Sequence, residues 1–146
     1  MKKRAVIFDF NRTLYDPEVD SLYPGAAQLL DSQSRSRTLF LYSRDEGGRD
    51  TLLEELGVMD AFSRIYFVSN KNAESVRKIL TENDLSSEEC IVVGDLMTSE
   101  LAAGNEAGLE TVWVKQGRFA DVTSNFEPTY VVTSISELST LLDRIP

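Results

Sequence analysis

The residues in this sequence that can do chemistry stand just after short apolar runs. Asp9, Asn11 and Thr13 follow the run Ala5–Phe8. Ser43 follows Thr38–Tyr42, with Arg44 next to it. Lys71 follows Ile65–Val68, and Asp95 and Glu100 follow Ile91–Val93. Carboxylates at the ends of separate runs, Asp9 and Asp95, make a hard-oxygen site. Mg²⁺ suits such a site, because it takes one or two carboxylates together with water and phosphate oxygens. A carboxylate at Asp9 can also attack phosphorus and form an aspartyl phosphate. The Ser43 hydroxyl can donate to a phosphoryl oxygen. The Lys71 ammonium can neutralise charge on a transferring group and locally offset an acidic chain.

Taken singly, each residue has a plainer explanation. An aspartate or a Gly-Asp pair after a strand is a common turn. A serine there is commonly a turn or cap hydroxyl, and a lysine is commonly a solvated charge. Their joint order along the chain is what gives them meaning, and that depends on the elements that carry them.

Those elements alternate. The runs Ala5–Phe8, Thr38–Tyr42, Ile65–Val68, Ile91–Val93, Thr111–Val114 and Tyr130–Val132 lack polar alternation, as strands covered on both faces do. Between them lie helical spacings. Leu52, Leu53 and Leu56 end at Gly57. Ala73, Val76, Ile79 and Leu80 follow Asn72 as N-cap. Leu101, Ala102 and Ala107 end at Gly108. Leu138, Leu141 and Leu142 follow a capping-box pattern, Ser134-x-x-Glu137. Pro24-Gly25 is expected to open a further helix, with proline in its first turn. Residues 116–128 read as a loop. This alternation predicts an α/β fold, a Rossmann-like three-layer sandwich with a mostly parallel sheet, as one domain over residues 1–146. Ligands of such sheets bind outside the carboxyl ends of the strands, where the polar residues stand.

Composition narrows the function. The chain has 146 residues, a net charge of −9, one cysteine and no histidine. The negative charge argues against non-specific binding to nucleic acid or to an anionic membrane. The lack of histidine removes the commonest general base. Cys90 reads as a small buried hydrophobe and Trp113 as core. The apolar run in MKKRAVIF is too short for a signal peptide, and no run approaches a membrane span. The expected location is the cytoplasm.

The segment VIFDFNRTLYD resembles the first signature of the haloacid dehalogenase-like (HAD) hydrolase superfamily, an apolar strand followed by Asp-x-Asp-x-Thr-Leu. LFLYS, ending at Ser43, resembles the second signature. Lys71, opening the helix NAESVRKIL, resembles the third, and CIVVGDLMTSELAAGNEAGLETVWVKQG is similar to the fourth. The resemblance implies a Mg²⁺-dependent phosphatase. Asp9 would be nucleophile and metal ligand, the backbone carbonyl of Asn11 a second ligand, and Asp95 a third. Glu100 would support the metal from nearby. Thr13 would hold the loop. Ser43, Arg44 and Lys71 would bind the phosphoryl group, with Lys71 close to Asp9.

Asn11 departs from the pattern. Phosphatases of the family place a second acid there, which protonates the leaving group and then activates water. An amide does not titrate near neutrality, and general acid–base help is worth about 10²–10⁴-fold. Three readings stay open. The chain is a slow phosphatase, or one whose substrate has a good leaving group. Or another carboxylate stands in, among Asp16, Glu18, Asp45 and Glu46. Or the chain, through a natural or engineered Asp-to-Asn change, binds a phosphorylated ligand without turning it over. The short Leu14–Tyr23 segment leaves no room for a cap domain. The site is then open, for bulky or macromolecular phosphorylated substrates, or covered by a neighbouring subunit of a homo-oligomer, for small ones. Tyr15, Tyr23 and Phe119 lie in segments that could rim it.

Overall fold

A strand from Ala5 to Phe8 (β1) has every side chain buried, because it runs through the middle of a sheet with helices on both faces. The computed structural model that shows this describes residues 2–146. In chain order, β1 is followed by a small antiparallel pair, β2 (Tyr15–Asp16) and β3 (Ser21–Leu22), and by helix α1 (Ala26–Ser34). Strand β4 (Thr38–Arg44), helix α2 (Arg49–Leu56), strand β5 (Arg64–Val68) and helix α3 (Ala73–Glu82) come next. The chain ends with β6 (Cys90–Gly94), α4 (Glu100–Glu106), β7 (Glu110–Val114), β8 (Tyr130–Val132) and α5 (Ile135–Arg144).

The large sheet has the order β5-β4-β1-β6-β7-β8, and its strands pair in parallel. The chain builds outward from β1 through β4 to β5, then crosses back to lay β6 on the other side of β1. That reversal puts the switch point of the sheet between β1 and β6, where open α/β sheets hold ligands. Phe8 is level with Leu41 of β4 and Val93 of β6, so Asp9 leaves the sheet flanked by the tips of both.

Two cores back the sheet. Val6, Phe8, Leu41, Val93 and Val112 pack with Leu29, Leu53 and Leu138, from α1, α2 and α5. Ala5, Ile7, Phe40, Val92 and Trp113 pack with Val76, Ile79 and Leu101, from α3 and α4. This is the expected three-layer sandwich. Between Leu14 and α1 the described residues form only the β2–β3 hairpin, with no cap inserted.

Some local expectations needed correction. Pro24 is not in the first turn of α1. The helix starts at Ala26 after Gly25, whose φ of 89° is the left-handed conformation that glycine adopts without a Cβ penalty. The buried face of α4 is Leu101, Ala103 and Gly104 rather than Leu101, Ala102 and Ala107. A Cβ on Gly104 would lie 2.3 Å from Val92 Cγ1, so the helix needs glycine to approach β6. Ser134 caps α5 by accepting from the Glu137 N–H at 3.1 Å, but the Glu137 carboxylate bonds Thr133 instead of the cap residue. At α3 the box is reciprocal: Asn72 Oδ1 accepts from the Ser75 N–H and Ser75 Oγ from the Asn72 N–H.

Candidate active site

Asp9 is 6% exposed, and its N–H donates to the Val93 carbonyl at 3.0 Å, so the β1–β6 ladder runs into the site itself. The next residues fold into a tight loop. The Phe10 carbonyl accepts from the N–H groups of Thr13, Leu14 and Tyr15, and Arg12 sits at φ 62°. Gln116 Nε2 donates to the carbonyls of Arg12 and Thr13, at 3.2 and 2.9 Å. The start of the expected loop 116–128 thus fastens the first loop, which sequence reasoning did not foresee. The Thr13 hydroxyl is fully buried, 3.2 Å from Asp9 Oδ2 and 3.5 Å from Asp95 Oδ1.

Lys71 stands between α3 and β5, two residues before the helix. Its Nζ lies 2.5 Å from Asp9 Oδ1 and 3.2 Å from Glu100 Oε1, with 6% of the side chain exposed. Burial pulls this ammonium down. The charges of Asp9 and Glu100, with their hydrogen bonds, outweigh that and hold it above the ordinary lysine value. Lys71 stays charged throughout the physiological range.

Asp9, Asp95 and Glu100 each present an oxygen, and these oxygens lie within 4.8 Å of one another. Glu100 begins α4 and is 2% exposed. Its Oε2 accepts from the Leu96 N–H at 2.8 Å. Burial raises its pKa, the Asp9 charge adds to this, and Lys71 opposes it. Burial likewise pushes Asp95 up to about 9, helped by the charge of Asp9, a hydrogen bond with it, and Glu100. Asp95 Oδ2 is buried with no hydrogen-bond partner.

These residues fit a divalent cation. Three carboxylates against one lysine leave two negative charges when all are ionised. The orphaned Asp95 oxygen has no protein donor to satisfy it, and hard carboxylate oxygens are what Mg²⁺ takes. Asp9, Asp95 and the Asn11 carbonyl are the groups that would hold it, with Glu100 beside them.

The pocket above these acids is lined by Asn11, Arg12, Ser43, Arg44, Glu46, Lys71, Ser99 and Phe119 among others. Ser43 lies within β4 rather than after it, 4% exposed, with its hydroxyl 3.3 Å from the Arg44 carbonyl. Arg44 is exposed and donates to the Ser69 carbonyl. Of the stand-in acids only Glu46 lines the pocket. Asp16 accepts from the Glu18 N–H, Glu18 pairs with Arg12 at 3.5 Å, and Asp45 is an exposed strand-tip residue. Of the expected rim aromatics, Phe119 lies under Arg12 at 5.2 Å. Tyr15 is instead core, stacked on Phe10 at 5.0 Å, and Tyr23 packs against the same core.

Sequence reasoning also passed over Arg12 and Arg49. Arg49 lies in the first turn of α2, 7% exposed, with its guanidinium 4.4 Å from the Phe10 ring centroid. It reaches Asn11 Oδ1 at 3.5 Å and Glu46 at 3.0 Å. The one available signal was the Gly47-Gly48 pair before it, which folds residue 46 back toward residue 49.

Acids gathered at the switch point of a parallel sheet, with a lysine bridging two of them, form a site with the chemistry to hold a divalent cation beside a phosphoryl group. The HAD-hydrolase-like family model matches residues 68–138, which takes in Lys71, Asp95 and Glu100. A dihydroxyacetone phosphatase of Corynebacterium glutamicum is 33% identical over 81 residues, 53% of this chain and 30% of that protein. The pyrimidine 5'-nucleotidase PynA of Streptococcus pneumoniae is 27% identical over 132 residues, 82% of this chain and 54% of that protein. The chain thus spans only about a third to a half of these relatives. A HAD hydrolase of Bacillus subtilis, YfnB, solved bound to magnesium, superposes with a TM-score of 0.84 at 14% identity, over 98% of this chain and 100% of that one. The second half of the chain is thus similar to HAD-like hydrolases in sequence, and the whole chain shares their fold. No described helix is long and apolar enough to cross a membrane.

Proposed function

We propose that this chain is a Mg²⁺-dependent phosphatase that works through an aspartyl phosphate on Asp9. The observation that carries this reading is the Asp9–Lys71–Glu100 bridge beside the unpartnered Asp95 oxygen. It provides a nucleophile, a fixed cation and a place for a divalent ion within one buried cluster. The metal, when bound, supplies positive charge against the phosphoryl oxygens. Lys71 adds a second positive charge and orients Asp9. Ser43 lies where its hydroxyl can turn from the Arg44 carbonyl to a phosphoryl oxygen, and Arg44 and Arg12 add cations at the rim. Asp9 bonds to phosphorus as the ester oxygen leaves. Water then cleaves the Asp9 phosphate. The substrate is a phosphate monoester, as the names of the relatives also favour, handled in the cytoplasm as the single, unpaired cysteine favours. The open pocket suits bulky esters, or small ones if a second copy covers it.

Asn11 favours a second reading, a module that binds a phosphorylated ligand with little turnover. Phosphate release from an aryl phosphate, with and without Mg²⁺, separates the two, with Asp9→Ala as blank and Asn11→Asp in parallel. Asp9-dependent release by the unmodified chain supports the enzyme. Release by Asn11→Asp alone supports the binding module. Release by neither, with Mg²⁺ bound, removes the phosphatase reading.

A further inference from the structure

Among the described residues, the carboxylates that line the pocket are Asp9, Asp95, Glu100 and Glu46. The first three are buried and drawn together. Glu46 stands apart, with its side chain 54% exposed. We propose that Glu46 is the general base that the Asn11 amide cannot be. This rests on the aspartyl-phosphate reading above and narrows it.

The geometry comes from one arginine. The Arg49 guanidinium is buried against the Phe10 ring and so has a fixed plane. Its Nη1 donates to Asn11 Oδ1 at 3.5 Å, and its Nη2 to Glu46 Oε2 at 3.0 Å. One rigid fork therefore holds the amide and the carboxylate side by side over the same pocket. Gly47 and Gly48, at φ 76° and 68°, turn the chain between Glu46 and Arg49, a conformation that L side chains rarely adopt. That turn lets Glu46 fold back beside position 11. Asp16, Glu18 and Asp45 do not line the pocket.

In the second half-reaction, the oxygen of a water bonds to phosphorus. The bond from phosphorus to the Asp9 oxygen breaks, and Asp9 departs with the electron pair as a carboxylate. The water proton passes to Glu46, leaving inorganic phosphate. Because Glu46 is half exposed, it returns that proton directly to solvent. An aryl or acyl leaving group departs in the first half without protonation, so a base for the second half completes the cycle.

The test is rapid mixing of an aryl phosphate and Mg²⁺ with the unmodified chain, Glu46→Gln, Asn11→Asp and the double variant. Glu46→Gln is expected to keep a burst of the phenol equal to the enzyme, while steady-state phosphate release falls about 10²–10⁴-fold. The double variant is expected to recover to the rate of Asn11→Asp alone, because either carboxylate then serves. Unchanged turnover in Glu46→Gln overturns the proposal. So does a loss that takes the burst with it and is not recovered by Asn11→Asp, since that marks a merely structural role. Turnover by Asn11→Asp but not by the unmodified chain overturns the role of Glu46 while leaving the Asp9 chemistry standing. Inactivity of both overturns the Asp9 chemistry and this inference together.

Discussion

Trp113 and Asp95 meet at the tips of adjacent strands, where the indole Nε1–H donates to the Asp95 main-chain carbonyl across 3.0 Å. Trp113 is level with Gly94 on β6 and only 6% exposed. It therefore does more than fill the core: it fixes the backbone that delivers Asp95. Trp113→Phe keeps a ring but leaves a buried carbonyl without its donor, which costs about 1–3 kcal/mol. Urea unfolding is expected to show that loss, and a Mg²⁺ titration a weaker site. The sole tryptophan also gives a probe. Its fluorescence is expected to shift as Mg²⁺ is added to the unmodified chain, and to stay flat in Asp95→Asn.

Lys71 keeps two buried carboxylates from facing each other unscreened. Lys71→Met retains length and apolar stem but removes the charge that Asp9 and Glu100 share. Removing one partner of a buried ion pair costs about 3–5 kcal/mol. The metal-free variant is expected to lose stability on that scale. Removing that positive charge also lets the acids bind Mg²⁺ more tightly, so at one fixed Mg²⁺ concentration the linkage stabilisation is larger, and thermal unfolding with and without Mg²⁺ should show a larger metal effect in the variant. Equal metal effects in both chains would mean that Lys71 does not offset the charge of the cation site.

The strands and the order of the strand-tip residues were legible because Asp9, Ser43 and Asp95 stand at the ends of apolar runs that the sheet buries, and that pattern is local. Asp9, Asp95, Glu100 and Lys71 could be grouped from the sequence for the same reason. What brings Arg49 to Asn11 was not legible. It depends on how α2 packs against Phe10, a contact between residues 39 positions apart that leaves no periodic trace. Gln116 escaped notice because its role is to bond main-chain carbonyls of a distant loop, which no side-chain pattern encodes. The misplaced start of α1 and face of α4 have a common cause. Each turns on a glycine: Gly25 turns the chain before α1, and Gly104 admits Val92 against α4.

Gly94 has a sharper requirement than any of these. A Cβ there would lie 2.3 Å from Glu100 Cγ and 2.4 Å from Glu100 Oε2. Glu100 is wedged between Lys71 and the Leu96 N–H and has little room to retreat. Gly94→Ala is expected to destabilise the chain by about 1–3 kcal/mol through overpacking. It should also weaken Mg²⁺ binding by moving a carboxylate. A double variant, Gly94→Ala with Glu100→Asp, shortens the offending side chain and should recover part of the stability. Calorimetry of the single and double variants checks this.

Cys90 offers a test of burial at the opposite end of the same strand. It is fully buried at the start of β6, facing Ala5. Burial pushes its thiol up to about 12. The Glu89 charge adds to that rise, and Lys3 and Arg4 oppose it. A raised thiol pKa means less thiolate at any given pH, so at pH 8 only about one molecule in 10⁴ carries the reactive form. The folded chain is expected to resist an aromatic disulfide reagent for hours at pH 8, and the urea-unfolded chain to react within minutes. Below pH 11 the folded-state rate should rise about tenfold per pH unit, since each unit multiplies the thiolate fraction by that factor. Fast labelling of the folded chain at pH 8 would show that β6 opens at its lower end, in conflict with a core continuous from Cys90 to the Asp95 site.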